Sequence, residues 1–203
     1  MKIAYQGIKG SYSESCALEM YPDCETIACK TFDDVFNKAN EDGEVRAIIP
    51  ESNKTTGNIG VEYLIFKYRL NIYQEKFYPI HHHLLGLPGT KNEDIKSVFS
   101  HAQGLSQCSN FIKKNNFVEN VRADTAGSAK YVSESKNKNE AAIASKQSAK
   151  IYNLDILASN IEDEKENVTR FLLMGKPVMQ PELKKDKYIT SFLFKLKSKP
   201  AAL

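Results

Sequence analysis

The chain is 203 residues long, 41% apolar and 26% charged, a balance that suits one large domain or two small lobes with a proper core. Its 28 basic and 25 acidic residues leave a net charge of +3, too small and too dispersed for a nucleic-acid surface. No apolar run approaches the ~18 residues of a membrane span, and the opening MKIAYQGIKG lacks the apolar stretch of a secretory signal, so a cytoplasmic protein is expected.

The elements alternate. KIAYQ reads as a strand, and Ser11 with Glu14 as a capping box that opens a helix through Met20. ETIAC is a second strand, and Thr31 with Asp34 starts a helix with Phe32, Val35 and Phe36 on one face. Asp42-Gly43 turns the chain into the β-branched strand VRAIIP. A polar loop, ESNKTTGN, then leads to a helix near 59–68. An extended region from Asn71 to Leu87 ends at the Pro88-Gly89 turn. After it come the strand IKSVFS, a helix over 102–115 carrying Leu105, Cys108, Phe111 and Ile112, and the strand FVENVRA. A helix from Thr125 to about Ser135, the strand AAIA and a helix over 145–153 follow. Strands alternating with helices predict an α/β fold with largely parallel sheets.

Several features take bland readings. Lys113–Lys114, Lys136–Lys138 and Lys184–Lys187 are interrupted by polar or acidic residues and read as solvated faces. Cys16, Cys24, Cys29 and Cys108 show no C-x-x-C spacing and read as reduced packing residues. The run His81-His82-His83 invites a metal, but neighbouring side chains of an extended segment alternate faces, so no metal site is expected.

The polar residues are more pointed. SHAQGLSQ, DTAGSA and PESNKTTG each lie beyond the carboxyl end of a strand, and the first two open helices. Ligands bind there in open α/β sheets, because first-turn N–H groups and a partial positive charge suit anions. ENVTRFLLMG sets Asn167, Thr169 and Arg170 at the mouth of an apolar strand, where a capped loop and a small-anion site are both open readings.

GIKGSYSE, IIPESNKTTGNIG, SHAQGLSQC, DTAGSA, AAIAS and NVTRF occur in the order and spacing of prephenate dehydratases, and over about residues 1–178 the chain resembles that family. The resemblance implies a type II periplasmic-binding-protein-like fold, two α/β lobes with a cleft between them. The catalytic domain would span 1–180, with one lobe at about 1–75 and 164–180 and the other at about 76–163. Residues 181–203 would be a linker and the truncated start of an ACT domain, without a working phenylalanine site. NVTRF would be a loop at the return crossing, ahead of Phe171 re-entering the first sheet. The implied reaction is cofactor-free loss of carbon dioxide and water from prephenate, giving phenylpyruvate for L-phenylalanine biosynthesis. Relatives assemble as dimers or tetramers, so a homodimer or homotetramer is implied.

By the same resemblance Thr169 is the hydrogen-bond donor or acid to the leaving hydroxyl. Ser100, Gln107, Asn53 and Thr125 match substrate-binding positions. Arg170 is either a carboxylate contact or an inter-lobe ion pair. Asn167, Phe171, His101 and Gln103 support the site. Two motif positions depart from the family pattern. Where it reads P-x-E-N-S-x-x-G, this chain has Pro50-Glu51-Ser52-Asn53-Lys54-Thr55-Thr56-Gly57, so one carboxylate fewer and one ammonium more are expected at the cleft. Ala102 replaces the usual proline of S-H-P-Q. Arogenate dehydratase and a catalytically decayed ligand-binding protein remain as alternatives.

Overall fold

The computed structural model describes residues 1–176, so the expected linker and ACT-like segment at 181–203 and the end of the first lobe's return at 177–180 lie outside the described residues. The first half runs β1 (Lys2–Gln6), α1 (Tyr12–Met20), β2 (Glu25–Cys29), α2 (Phe32–Glu41), β3 (Val45–Asn53), β4 (Gly57–Asn58), α3 (Glu62–Tyr68) and β5 (Asn71–Pro79). The second runs β6 (His83–Gly86), β7 (Ser97–Ser100), α4 (Ala102–Ser106), α5 (Ser109–Lys114), β8 (Val118–Val121), α6 (Thr125–Ser135), β9 (Glu140–Ala144), α7 (Lys146–Ile151), β10 (Asp155–Ala158) and β11 (Val168–Gly175).

Two sheets result. One is ordered β2-β1-β3-β11-β5, with β4 paired to β3; the other is ordered β10-β6-β9-β7-β8. The chain leaves the first sheet after β5 and returns as β11, so it crosses between lobes twice. Because β5 stays paired as far as Pro79, the first crossing falls at 80–82, a few residues beyond the expected boundary near 75. The sheets are mixed rather than largely parallel. β1 lies parallel to β2 and β3, and β7 to β8 and β9, whereas β11 runs antiparallel to both β3 and β5, and β6 antiparallel to β9 and β10. Strands that follow an inter-lobe crossing enter from the opposite end.

Alternation along each central strand feeds two cores. Ala47, Ile49, Leu172 and Met174 meet Val35, Phe36 and Leu64 on one face of the first sheet. Ile48, Phe171 and Leu173 meet Cys16 and Ala17 of α1 on the other. The second sheet divides likewise, Ala141 and Ile143 packing toward Leu105 and Ile112, and Ala142 and Ala144 toward Ala129 and Val132. Cover on both faces is why AII, FLLM and AAIA are continuous apolar runs.

Local chemistry sets the helix starts. Thr31 and Asp34 form a full capping box on α2. On α1, Ser11 caps Glu14 N, but the Glu14 carboxylate takes Gly10 N at 2.6 Å instead of the cap amide, and also accepts from Tyr5 and Thr26. The single helix expected over 102–115 is broken, with Cys108 at φ −119°, ψ 20° between α4 and α5. β3 extends through Glu51, Ser52 and Asn53, which were expected in a loop. NVTRF is likewise not a loop: Thr169 and Arg170 already sit in β11, paired with Asn53 and Ser52.

Candidate active site

Between the lobes lies a cavity of about 580 Å3, within the usual range for small-molecule sites. The first turns of α1 (Tyr12, Ser13), α2 (Phe32, Asp33) and α6 (Thr125) border it, helices of 9, 10 and 11 residues. First-turn amides have no intrahelical acceptor, so three positive helix ends converge here. Among the described residues no lysine or arginine lines the cavity.

Its inner wall is a hydrogen-bonded line. Asn53 Oδ1 accepts from the backbone N–H groups of Thr55 and Thr56 at 3.0 and 3.2 Å, which fixes the direction of its amide. Its Nδ2 therefore donates to Asn167 Oδ1 at 2.8 Å and to Thr169 Oγ1 at 2.9 Å. From the second lobe, Gln107 Nε2 reaches Asn167 Oδ1 at 3.3 Å. Gln107 Oε1 lies 2.9 Å from His82 Nε2, and His82 Nδ1 lies 2.8 Å from the Tyr12 hydroxyl. Burial pushes the His82 pKa down, against the opposing pull of Gln107 and Glu162, and pushes the Tyr12 hydroxyl well up. Asn167 Nδ2 is buried with no hydrogen-bond partner among the described residues.

Thr169, Asn53, Gln107, Thr125, His101, Gln103 and Phe171 all line this cavity, and Asn167 stands just behind Asn53. His101 Nδ1 accepts from Gln103 N and so caps α4, while Gln103 Nε2 bridges to Thr56 Oγ1 of the other lobe. Two expected contacts fall elsewhere. Ser100 is fully buried, its hydroxyl given to Ile143 O at 2.7 Å. It lies behind Gly104, where an added Cβ would stand 2.8 Å from Ser100 Oγ and 3.5 Å from Thr125 Cγ2; glycine lets α4 approach so closely. Arg170 points to the face opposite Thr169. Its guanidinium sits between Glu75 at 2.8 Å and Glu51 at 3.4 Å, an ion pair within one sheet rather than between lobes.

Of the charge change expected at the cleft, the added ammonium does not arise, while no carboxylate of residues 50–57 lines the cavity. β3 bulges at Glu51, since Ser52 faces Arg170 while Pro50 faces Phe171, and the extra residue turns its carboxylate to Arg170. Lys54 turns out to the exposed Glu166. Tyr12, His82 and Thr56 were not foreseen. The sequence signal is weak: Ile80, His82 and Leu84 stand at alternate positions, but His83 and Leu85 are buried as well, and only His81 of the run is exposed. A second cavity, of about 990 Å3, opens on the other side of Tyr12, near Tyr78, Lys146 and Lys150, and includes none of the expected site residues.

The sequence profile described as "Prephenate dehydratase" matches residues 3–178. The chain belongs to the prephenate dehydratase family. It is 42% identical to a protein of Arabidopsis thaliana named "Arogenate dehydratase/prephenate dehydratase 1, chloroplastic", over all of this chain and 52% of that one. The chain thus spans about half the length of the curated relatives it matches. Among solved structures, the prephenate dehydratase of Arthrobacter aurescens in complex with L-Phe superposes with a TM-score of 0.83 at 25% identity, covering 91% of this chain and 63% of that one. A structure described as GqqA, a quorum quenching acylase, superposes with a TM-score of 0.82 at 30% identity over 89% of this chain and 66% of that one. The fold of this dehydratase domain is the two-lobed, type II periplasmic-binding-protein-like one.

Proposed function

We propose that the chain converts prephenate to phenylpyruvate as a carbon–oxygen lyase. The observation that carries the reading is the direction of the bond at Thr169. Its Oγ1 accepts from Asn53 Nδ2, so its own O–H is left to donate into the cavity. An accepted hydrogen bond stabilises negative charge on that oxygen, and a weak alcohol becomes a better donor.

In this reading the helix ends of α1, α2 and α6 meet the two carboxylates, and Gln107 and Thr125 orient them. The C–O bond of the ring hydroxyl breaks with its electron pair as Thr169 gives its proton to the departing oxygen, which leaves as water, and solvent then returns a proton to Thr169 Oγ1. The C–C bond to the ring carboxylate breaks in concert, carbon dioxide departs, and that electron pair completes the aromatic ring. Asn53 and Asn167 hold Thr169 in place.

Arogenate is the second reading. It differs by an ammonium in place of the keto oxygen, the Arabidopsis relative is named for both activities, and Asp33 and Asp124 border the cavity. A cytoplasmic location belongs to the proposal as well, although that relative is named chloroplastic; recovery of the native protein in an organelle fraction would overturn it. The test is product formation from prephenate and from arogenate, by the wild type and by Thr169→Ala. Loss of turnover by about 10²- to 10⁴-fold in the variant, with modest change in KM, is expected. A folded wild type inert toward both substrates, or a variant as active as the wild type, overturns it.

A further inference from the structure

We infer that His82 is a positioning residue for this reaction, set as its Nε2–H tautomer by the carbonyl of Gln107, which it grips so that the Gln107 amide nitrogen stays turned toward Asn167 and Asn53. The inference rests on the dehydratase reading for its catalytic consequence and on geometry for the rest.

The direction of each bond follows from the one before. The backbone amides of Thr55 and Thr56 make Asn53 Oδ1 an acceptor, hence Asn53 Nδ2 a donor and Asn167 Oδ1 an acceptor. Gln107 must then present Nε2 to Asn167, which leaves Oε1 facing His82. An amide oxygen needs a donor, so the proton of the imidazole sits on Nε2. His82 Nδ1 is left as an acceptor facing the Tyr12 hydroxyl at 2.8 Å, whose single proton it shares with the backbone carbonyl of His81, also 2.8 Å away. The Tyr12 ring stands edge-on to the imidazole at 5.5 Å, which holds the two in register.

The alternative tautomer would set a bare Nε2 against Gln107 Oε1. Relief by flipping the amide would turn Oε1 onto Asn167 Oδ1 and Asn53 Oδ1, acceptor against acceptor beside Thr169. His82 is 2% exposed, so water is not at hand to compensate. Its backbone is pinned too: His82 N donates to Glu162 Oε2, and His82 O accepts from Ile161 N. The imidazole sits at the first crossing between lobes, tying α1 of one lobe to Gln107 of the other.

The experiment pairs a spectrum with kinetics on the full chain. Histidine side chains labelled with ¹⁵N report the tautomer of each of the four histidines by long-range proton–nitrogen correlation. His82 is expected neutral, with its proton on Nε2, and Tyr12→Phe is expected to move part of that population to Nδ1. With prephenate, Tyr12→Phe should lower kcat by about fivefold and His82→Phe by tenfold or more, KM moving less than kcat, in line with the loss of a buried hydrogen bond. His82→Gln restores an N–H near Nε2 and should regain most of the loss, which a purely structural role would not require. Thermal melts check that each variant is folded. A His82 protonated on Nδ1 in the wild type overturns the inference, as do His82→Phe and Tyr12→Phe that turn over like the wild type. An inert wild type sinks the dehydratase reading and the catalytic half of this inference with it, while the spectrum judges the tautomer either way.

Discussion

Asn53 Nδ2 donates to Thr169 Oγ1 at 2.9 Å, across the pair that joins β3 to β11. The two side chains meet because both strands present them to the same face at one register position. We predict that Asn53→Asp, which keeps the shape but loses the donor, reverses this bond. Its carboxylate would still accept from Thr55 and Thr56 but would also take the proton of Thr169, withdrawing the hydroxyl from substrate. kcat should fall by about 100-fold or more with a smaller change in KM, read from initial rates with prephenate. A variant within threefold of the wild type would show that Thr169 does not depend on Asn53.

Acid should destabilise the fold through His82. Burial holds its pKa below the ordinary 6.5, so between the folded and unfolded values the unfolded chain binds a proton that the folded chain does not. Stability therefore rises with pH up to about 6.5 and levels off above it, with at most ~1.4 kcal/mol per pH unit from this group. His83 shifts the same way by burial. Glu162 adds the same sign lower down: burial would raise its pKa, yet bonds from His81 and the His82 amide pull it below the usual value, so its contribution is lost as pH falls through the folded value. Urea midpoints from pH 7.5 to 5.5 should drop in the wild type and drop less in His82→Gln. Equal slopes in both would remove His82 from the account.

Much of this site is legible in the amino-acid sequence, and the parts that are not have physical reasons. Thr169, Asn53, Gln107 and Thr125 sit in motifs whose order and spacing are specific, and the fold gathers them at one cavity. The TFDD box, the ETIAC strand and the Thr125 helix start are legible because capping and alternation are local. ESN is not legible as strand: three polar residues look like a loop unless β4 and β11 are known to flank them. The break at Cys108 is hidden because Leu105, Cys108 and Ile112 keep helical spacing through it. β10 is only four residues long and half exposed, and its consecutive Ile156, Leu157 and Ala158 show no alternation to mark a strand. Ser100 shares a motif with true lining residues, but only the fold reveals that its hydroxyl is taken by Ile143 O.

Arg170 should matter to stability more than to chemistry. Its side chain and those of Glu51 and Glu75 are 24%, 18% and 26% exposed, so the three charges are partly desolvated and depend on one another. We predict that Arg170→Leu lowers the unfolding free energy by about 2–4 kcal/mol, because two crowded carboxylates lose their common cation. Adding Glu75→Leu should recover part of the loss. Urea unfolding of the single and double variants measures this, and the folded single variant should lose far less activity than Thr169→Ala. A single variant as stable as the wild type would mean solvent already screens the cluster.

The lobes are also fastened on the side of the loop between β1 and α1. Gly10 O accepts from Ser145 Oγ at 2.7 Å and Ser148 Oγ at 2.9 Å, and Lys9 O accepts from the Tyr152 hydroxyl at 2.7 Å, so α7 of one lobe grips a loop of the other. Gly10 sits at φ +92°, and an added Cβ would stand 2.7 Å from Ser148 Oγ and 3.1 Å from Ser148 Cα. Gly10→Ala therefore combines backbone strain with a clash that the Ser148 side chain cannot relieve alone, because Cα cannot turn away. The same loop leads into the first turn of α1, which borders the cavity. We predict a rise in KM of about tenfold or more with kcat less affected, and a loss of about 1–3 kcal/mol in stability. Tyr152→Phe, which removes one bond without strain, should raise KM by only a few-fold. Were Gly10→Ala to lower kcat while leaving KM alone, the grip of α7 would matter to the chemical step and not to holding substrate.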